Sequence, residues 1–196
     1  MSRRISHLYK LLSLVVTVSV VLLSPASYAQ TGEPDDVFGL IEARVEAEYP
    51  SLKELYMHLH THPELSYHES ESADRMAEEL GRVGFEVTQG VGGHGVVAVM
   101  KNGEGPTLLI RGDMDALPLK EETDLPYAST VVVKDDLGRD VNVMHACGHD
   151  IHMTSLIGTG RVLSALKANW RGTLVLIAQP AEERGGGASA MLGAGL

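Results

Sequence analysis

The first part of the chain places apolar and polar residues at helical spacing. Between residues 37 and 59 apolar side chains return every three or four positions, which predicts a helix with Pro50 as a point where it can break. A second amphipathic pattern covers residues 69–83 and ends at Gly84, as helices commonly do. A polar turn over residues 61–67 separates the two. The sequence therefore predicts two helices before the first strand.

Beyond this point the pattern changes to short runs of β-branched and aliphatic residues bounded by glycines, which predicts strands. The last run, at 173–178, is apolar on both faces, as in the central strand of a sheet covered by helices. A helical pattern over 151–168 precedes it, and the alternation of helices and buried strands predicts an α/β fold. The predicted strands are 85–88, 96–101, 107–111 and 173–178, with a β-ribbon over 128–134 and a helix from 188.

The amino-terminal residues have the three-part layout of a secretory signal peptide. The first ten positions are basic, residues 11–23 are largely apolar, and Ser27 and Ala29 place small residues at the two positions that a signal peptidase reads. The apolar run is shorter than the roughly 20 residues of a spanning helix, which favours cleavage over a retained membrane anchor. The sequence predicts a signal peptide over 1–29, a polar leader over 30–36, and an exported protein, periplasmic or secreted, with no stable membrane anchor.

Composition and charge narrow the classes of function. The 196 residues are 44% hydrophobic and 21% charged, which is typical of a folded globular protein. Once the three cations before residue 30 are set aside, 13 basic residues face 26 acidic ones. So acidic a chain argues against a nucleic-acid partner, because neutralising phosphates requires clustered lysine and arginine. The single cysteine excludes an internal disulfide.

Three clusters of side chains that can bind metals or transfer protons lie where predicted strands end. The GDMD segment at 112–115 follows one strand, the HACGHD segment at 145–150 follows another, and the QPAEE segment at 179–183 follows a third. Functional sites of open α/β sheets lie at the carboxyl ends of strands. We therefore expect the site of this protein at that edge of the sheet.

The HACGHD segment offers metal ligands. Cys147 and His149 lie two residues apart on a glycine turn, so a thiolate and an imidazole can converge on one cation. Asp150 can orient an imidazole from behind, and His145 and His152 are within reach of the same roles. The alternative is a buried structural cysteine beside two surface histidines.

Paired carboxylates characterise the other two clusters. Glu182 and Glu183 directly follow an apolar strand, where like charges repel unless a cation lies between them. One carboxylate can then bind a metal while the other takes a proton from water; an ordinary acidic first helical turn is the alternative. In an extended chain Asp113 and Asp115 point to one side, where either can orient a histidine or bind a metal. Turn chemistry before Pro118 is the alternative there.

A group of histidines lies at the predicted end of the first helix, far along the chain from the other clusters. Imidazoles are favoured at helix carboxyl ends by the helix dipole. We therefore expect structural or substrate-rim roles for these residues. They are His58, His60, His62 and His68.

Taken in order, the clusters resemble a known family of di-metal amidohydrolases and peptidases. It includes hippurate hydrolase, bacterial aminoacylases, N-acetyl-diaminopimelate deacetylase and plant indole-acetyl-amino-acid hydrolases. The resemblance extends from about Leu59 to Leu196, and four segments in the same order make it specific although each alone is weak. They are LHTHPELSYHESESA, LLIRGDMDALPLKEET, MHACGHDIHMTSLIG and GTLVLIAQPAEERGGGA.

The resemblance implies a role for each matching residue. It implies two divalent metal ions, Mn²⁺ or Zn²⁺. The implied ligands are Cys147, a thiolate that bridges the two ions, together with His149 and Glu183. Glu182 is implied to be the general base that takes a proton from a metal-activated water and returns it to the leaving amine. Asp115 matches an acidic residue that assists the site, and Asp113 stands where peptidase relatives carry a metal-binding histidine.

The implied reaction is hydrolysis of the amide bond of an N-acyl amino acid or small peptide, with a dipeptidase on the same core as the alternative. The implied fold is the helix-covered mixed sheet of a di-metal aminopeptidase-like catalytic domain. Full-length relatives are longer, with two further histidine ligands and a small lid domain that commonly mediates homodimer contact. We therefore expect residues 37–196 to be the amino-terminal part of an incomplete catalytic domain without its lid, inactive alone. The competing hypothesis is a truncated, non-catalytic remnant or weak metal binder.

Overall fold

The computed structural model describes residues 34–196, with side chains from Val37 onward. The predicted signal peptide and its cleavage point lie outside the described residues. Helices and strands alternate through the described part, as the sequence pattern indicates. The elements are α1 Pro34–Thr61, α2 Ser70–Arg82, β1 Glu86–Val91, β2 Gly95–Asn102, β3 Thr107–Asp113, β4 Val132–Lys134, β5 Asp140–Asn142, α3 His149–Ala165, a 3₁₀ turn Lys167–Asn169, β6 Gly172–Gln179 and α4 Gly187–Gly193.

Four strands form a mixed sheet in the order β1-β2-β6-β3. Strand β2 is antiparallel to both β1 and β6, whereas β3 runs parallel to β6. The predicted central strand is therefore confirmed as β6, which is flanked on both sides and largely buried. At the edge of the described sheet, β3 exposes more than half of Leu108 and Leu109. The predicted ribbon lies partly in β4, which pairs with β5 in a separate two-stranded sheet.

The hydrophobic core lies between the sheet and helices α2 and α3. Gly160 allows α3 to lie close to both β6 and α2. A Cβ atom at this position would lie 3.0 Å from side-chain atoms of both Leu176 and Leu80. Helix and sheet can therefore pack at a distance that a larger residue would prevent. The core is built mainly from the side chains of Leu55, Leu59, Met76, Leu80, Phe85, Val96, Met100, Met114, Met153, Leu156, Ile157, Leu174 and Leu176.

Helix α1 continues through Pro50, so the predicted break does not occur. Arg161 of α3 contacts both sides of the proline, since its guanidinium donates to Glu48 at 3.0 Å and to Ser51 at 2.8 Å. These tertiary contacts join the two halves, although proline removes one backbone donor. None of the helices between residues 34 and 196 has the length and apolar character needed to cross a membrane.

Candidate metal centre

The ends of two parallel strands bring two of the predicted clusters together. Asp113, the last residue of β3, lies beside Gln179, the last residue of β6, and the amide of Met114 donates to the Gln179 carbonyl at 3.0 Å. The GDMD and QPAEE segments therefore leave the sheet side by side, as expected. The HACGHD segment differs from the prediction, because it follows the small β4–β5 sheet and a loop instead of a strand of the main sheet. It reaches the site only where α3 begins at His149.

Asp115 organises the site. Its buried carboxylate accepts hydrogen bonds from the Ser66 hydroxyl at 2.6 Å and from the backbone amides of Glu182 at 3.1 Å and Glu183 at 3.0 Å. Its backbone carbonyl accepts one from Nδ1 of His149 at 2.7 Å. Burial alone would raise the pKa of Asp115, but these hydrogen bonds outweigh it and lower the pKa to about 2. Asp115 is thus an ionised anchor that fixes His149, Glu182 and Glu183 together.

The free nitrogen of His149 faces the paired glutamates. Nε2 lies 3.7 Å from Oε2 of Glu182 and 3.9 Å from Oε1 of Glu183. It also lies 3.7 Å from Oδ1 of Asp113. Burial would lower the pKa of His149, but the hydrogen bond to Asp115 and the charge of Asp113 raise it to about 9. A strong concentration of negative charge therefore surrounds this imidazole.

These atoms fit a divalent metal ion. The separations from His149 to Glu182 and Glu183 are too long for hydrogen bonds, yet two such atoms can bind one cation at about 2.0–2.2 Å from each. Oε1 of Glu183 is buried and has no hydrogen-bond partner. An unpartnered buried carboxylate oxygen is costly unless a cation satisfies it. The donor set of imidazole and carboxylates suits Zn²⁺ and also Mn²⁺.

Cys147 is not a member of either group of converging donor atoms, although its thiol lies beside Glu183. Within residues 34–196, the two groups of donor atoms that lie within 4.8 Å of one another are His149 with Glu182 and Glu183, and Asp113 with His149 and His152. The Cys147 side chain is exposed. A hydrogen bond to Glu183 raises the pKa of its thiol. Its assignment as a bridging ligand therefore stays a prediction.

Two further histidines of the cluster take different positions. His152 is half exposed; its Nδ1 lies 2.5 Å from Oδ1 of Asp113, and its ring stacks on that of His149 with 5.4 Å between the centroids. Asp113 therefore pairs most closely with His152. His145 is buried with both ring nitrogens unpartnered, and burial lowers its pKa to about 4.

Asp150 orients an imidazole, but it is that of His60 on α1. The Nδ1 atom of His60 lies 2.6 Å from Oδ2 of Asp150, and Nε2 lies 3.0 Å from Oε1 of Glu121. Although burial would lower the pKa of His60, hydrogen bonds to Asp150 and Glu121 raise it. His60 thus joins the segment after β3 to the start of α3. The structural interpretation of this histidine is supported, with tertiary pairing to two carboxylates beyond the helix dipole.

Replacing His60 with leucine is expected to lower the free energy of unfolding by about 3–5 kcal/mol, because two buried carboxylates lose their partner. The raised pKa of His60 makes its contribution complete below its unfolded value of 6.5, with loss as the pH rises through the folded value. The pKa of Glu121 is lowered in the folded state, so the contribution of Glu121 to the free energy of unfolding is lost as the pH falls through its folded pKa. The deficit of the variant should therefore be largest between the two unfolded values, 4.5 for Glu121 and 6.5 for His60.

Urea unfolding across this pH range measures the difference. The matched control is His68→Leu, since His68 is an exposed histidine 3.4 Å from the exposed Asp136. An exposed pair of this kind contributes at most about 1 kcal/mol. Equal losses in His60→Leu and His68→Leu would show that the buried pairing does not stabilise the fold.

Ser66 is a site residue that sequence reasoning did not identify. It lies in the segment LHTHPELSYHESESA, and its hydroxyl donates to Asp115. The chain brings it there through a parallel bridge between Leu65 and Ala116, supported by a hydrogen bond from the Ala116 amide to the Glu64 carbonyl at 2.7 Å. A serine hydroxyl has no periodic signature, so only its place in that segment could have indicated it.

The chain is similar in sequence to known hydrolases. Residues 109–196 match the family model for peptidase family M20/M25/M40. The chain is 45% identical over 139 residues to the hippurate hydrolase of Campylobacter jejuni, covering 70% of this chain and 33% of that protein. It is 42% identical over 140 residues to the N-acetylcysteine deacetylase of Bacillus subtilis, covering 70% of this chain and 34% of that protein.

A solved structure of the same family is also similar to this chain. A Bacillus subtilis protein described as a dinuclear metal-binding peptidase of the M20 family superposes with a TM-score of 0.68 at 39% identity, covering 76% of this chain and 40% of that one. The chain spans about a third of the length of the curated relatives it matches. The helix-covered mixed sheet and the ordered motifs agree with these matches, and residues 109–196 of this chain carry the sequence pattern of peptidase family M20/M25/M40.

Proposed function

We propose that the protein hydrolyses the amide bond of N-acyl amino acids or small peptides with the help of two divalent metal ions, Mn²⁺ or Zn²⁺. The observation that carries this proposal is the convergence of His149, Glu182 and Glu183 around the unpartnered Oε1 of Glu183. The proposed ligands are His149, Glu183 and Cys147, and the dinuclear metal binding described for the solved Bacillus subtilis relative supports the number of ions. Bound ions would supply Lewis acidity to the scissile carbonyl and to a water molecule.

Glu182 is the proposed general base. Its side chain is 43% exposed, in contrast to the 15% of Glu183, so it can reach both solvent and a substrate. It takes one proton from the attacking water and gives a proton to the nitrogen of the breaking C–N bond. The amide thus gains hydroxyl on carbon and hydrogen on nitrogen. Asp115 holds the backbone of Glu182 during both transfers.

The substrate class follows from the relatives and from a cavity beside the site. One relative is named for hippurate and another for N-acetylcysteine, both N-acylated amino acids. A cavity of about 830 Å³ opens beside Glu183 and has room for an acyl group. Its walls combine apolar side chains with charged ones, among them Arg184, whose guanidinium is paired with Asp136. The apolar walls include Leu65, Leu117, Leu137 and Val141.

The proposal is tested with the full gene product. Metal content after loading with Mn²⁺ or Zn²⁺ is measured by elemental analysis, and hydrolysis is followed with hippurate, N-acetyl amino acids and dipeptides. Two bound ions with turnover of the acylated amino acids support the proposal. Faster turnover of dipeptides favours the dipeptidase alternative, which is supported by the description of the solved relative as a peptidase. Metal binding without turnover by the complete product would support a non-catalytic remnant.

We also propose that the protein is exported to the periplasm or secreted, since the first 29 residues have the layout of a signal peptide. Amino-terminal sequencing of the mature protein should begin near Gln30. A mature chain that retains Met1 in the cytoplasm would contradict export.

A further inference from the structure

A buried carboxylate that has no role in the proposed mechanism binds the backbone of the loop that carries Glu182 and Glu183. The Glu69 side chain is fully buried. Its Oε1 accepts hydrogen bonds from the amide of Ala181 at 2.7 Å and from the amide of Tyr67 at 3.0 Å. Ala181 directly precedes the glutamate pair, although it lies 112 residues away from Glu69 along the chain. One oxygen thus joins the start of α2 to the end of β6.

Glu69 occupies the position before α2 where a side chain usually caps the helix, but it makes no such bond. Glu64 takes that task from outside the helix. Its two carboxylate oxygens accept from the amides of Glu71 at 3.1 Å and Ser72 at 2.7 Å. This exchange frees Glu69 to point into the loop, and it implies a use for the carboxylate other than helix capping.

Both donors to Glu69 have strained backbones. Tyr67 has a φ of 69° and Ala181 a φ of 47°, and they are two of the three non-glycine residues with positive φ among residues 34–196. Side chains disfavour this left-handed region, so surrounding contacts must hold such residues there. The same carboxylate oxygen supplies a contact to each of them.

The two strained turns also interlock. A Cβ atom at Gly186 would meet the Tyr67 hydroxyl oxygen, so a larger residue there would require the tyrosine side chain to move. Ala181 therefore sits between two restraints: Glu69 binds its amide on one side, and Asp115 binds the amides of the next two residues on the other. The direction in which the glutamate pair leaves the sheet depends on the backbone of Ala181.

We infer that Glu69 is a positioning residue that holds Ala181 in its left-handed conformation and so aims Glu182 and Glu183 at His149. The effect of this positioning on metal binding and catalysis rests on the proposed function. The hydrogen bonds of Glu69 themselves do not depend on the proposed function, since they need neither metal nor substrate.

The test compares three variants with one control in the metal-free full-length chain. Glu69→Ala removes the acceptor, Glu69→Asp keeps the charge but withdraws the oxygen by one methylene, and Glu69→Gln keeps an acceptor at the same place. Glu79→Ala is the matched control, because Glu79 is a buried carboxylate on α2 that pairs with Arg161 far from the loop. NMR-detected amide exchange is read at Ala181 and, as an internal reference for global opening, at Leu176.

The first expected result is selective loss of protection at Ala181. Relative to Leu176, its amide should exchange at least tenfold faster in Glu69→Ala and in Glu69→Asp, and within threefold of the parent in Glu69→Gln and Glu79→Ala. Co²⁺ affinity should fall about 10–100-fold in the first two variants, as for other residues that support metal ligands. If Glu69→Ala does not fold, the aspartate and glutamine variants decide the question alone.

Two outcomes overturn the inference. One is an unchanged exchange ratio in Glu69→Asp; the other is a loss in Glu79→Ala that equals that of the Glu69 variants, since Glu69 would then act only on global stability. A parent protein that binds no Co²⁺ contradicts the proposed function instead, and the exchange ratio still decides the role of Glu69.

Discussion

Glu182→Gln is expected to lower kcat for an N-acyl amino acid by about 10²–10⁴-fold, the usual contribution of a general base. The amide side chain cannot take a proton from water, yet it has nearly the shape of the carboxylate. The backbone of residue 182 stays bound to Asp115, so the loop should not move. Metal content should therefore remain at the parent value.

Glu183→Gln is the matched comparison for this prediction. Its carboxylate is the more buried of the pair and holds the unpartnered oxygen, so its replacement should reduce metal content. Elemental analysis and steady-state kinetics of both variants, in the product of the complete reading frame, separate the two roles. If Glu182→Gln loses metal and Glu183→Gln keeps it, the two glutamates have exchanged functions.

Cys147→Ser is expected to remove most of the metal and most of the activity. Changes in residues that only support ligands cost about 10–100-fold in affinity, so losing the proposed bridging thiolate should cost at least as much. The exposed thiol has its pKa raised by Glu183, and bound cations would reverse that preference and favour the thiolate. A thiolate-to-metal charge-transfer absorption should therefore appear with Co²⁺ in the parent and be absent from the variant.

Alkylation offers an independent measurement on the unmodified protein. Cys147 is the single cysteine and its side chain is exposed, so iodoacetamide should modify it in the metal-free protein. Saturating Zn²⁺ should protect it. Turnover and metal content near the parent values in Cys147→Ser, together with no protection by Zn²⁺, would refute the bridging role.

The strands were predictable because their signals are local. The run that became β6 is apolar on both faces, and a strand with a neighbour on each side requires this. Helix α1 shows the limit of such reasoning. Proline at position 50 is a local reason to break the helix, yet the helix continues, and Arg161, more than 100 residues later, contacts both sides of the proline.

The site was predicted in part for the same reason. Asp113 ends β3 and Glu182 comes shortly after β6, and these strands are parallel neighbours, so the two residues lie at the same edge of the sheet by the general rule for strand ends. The roles of His60 and Glu69 could not be predicted in this way. A single buried histidine or glutamate forms no periodic pattern, and its hydrogen-bond partners are not adjacent to it in the sequence. Their partners, Asp150 and Ala181, are 90 and 112 residues away along the chain.

The α/β class, the central strand and the family resemblance follow from the order of residues, because periodicity and ordered motifs are local features. Which side chains meet depends on how the chain packs. This packing turned His149 toward Glu182 and Glu183, left Cys147 exposed, and made Asp115 the common anchor. The physical reason is that a hydrogen bond or a shared cation depends on distances of about 2–4 Å, which the packing of helices on the sheet sets between residues far apart in sequence.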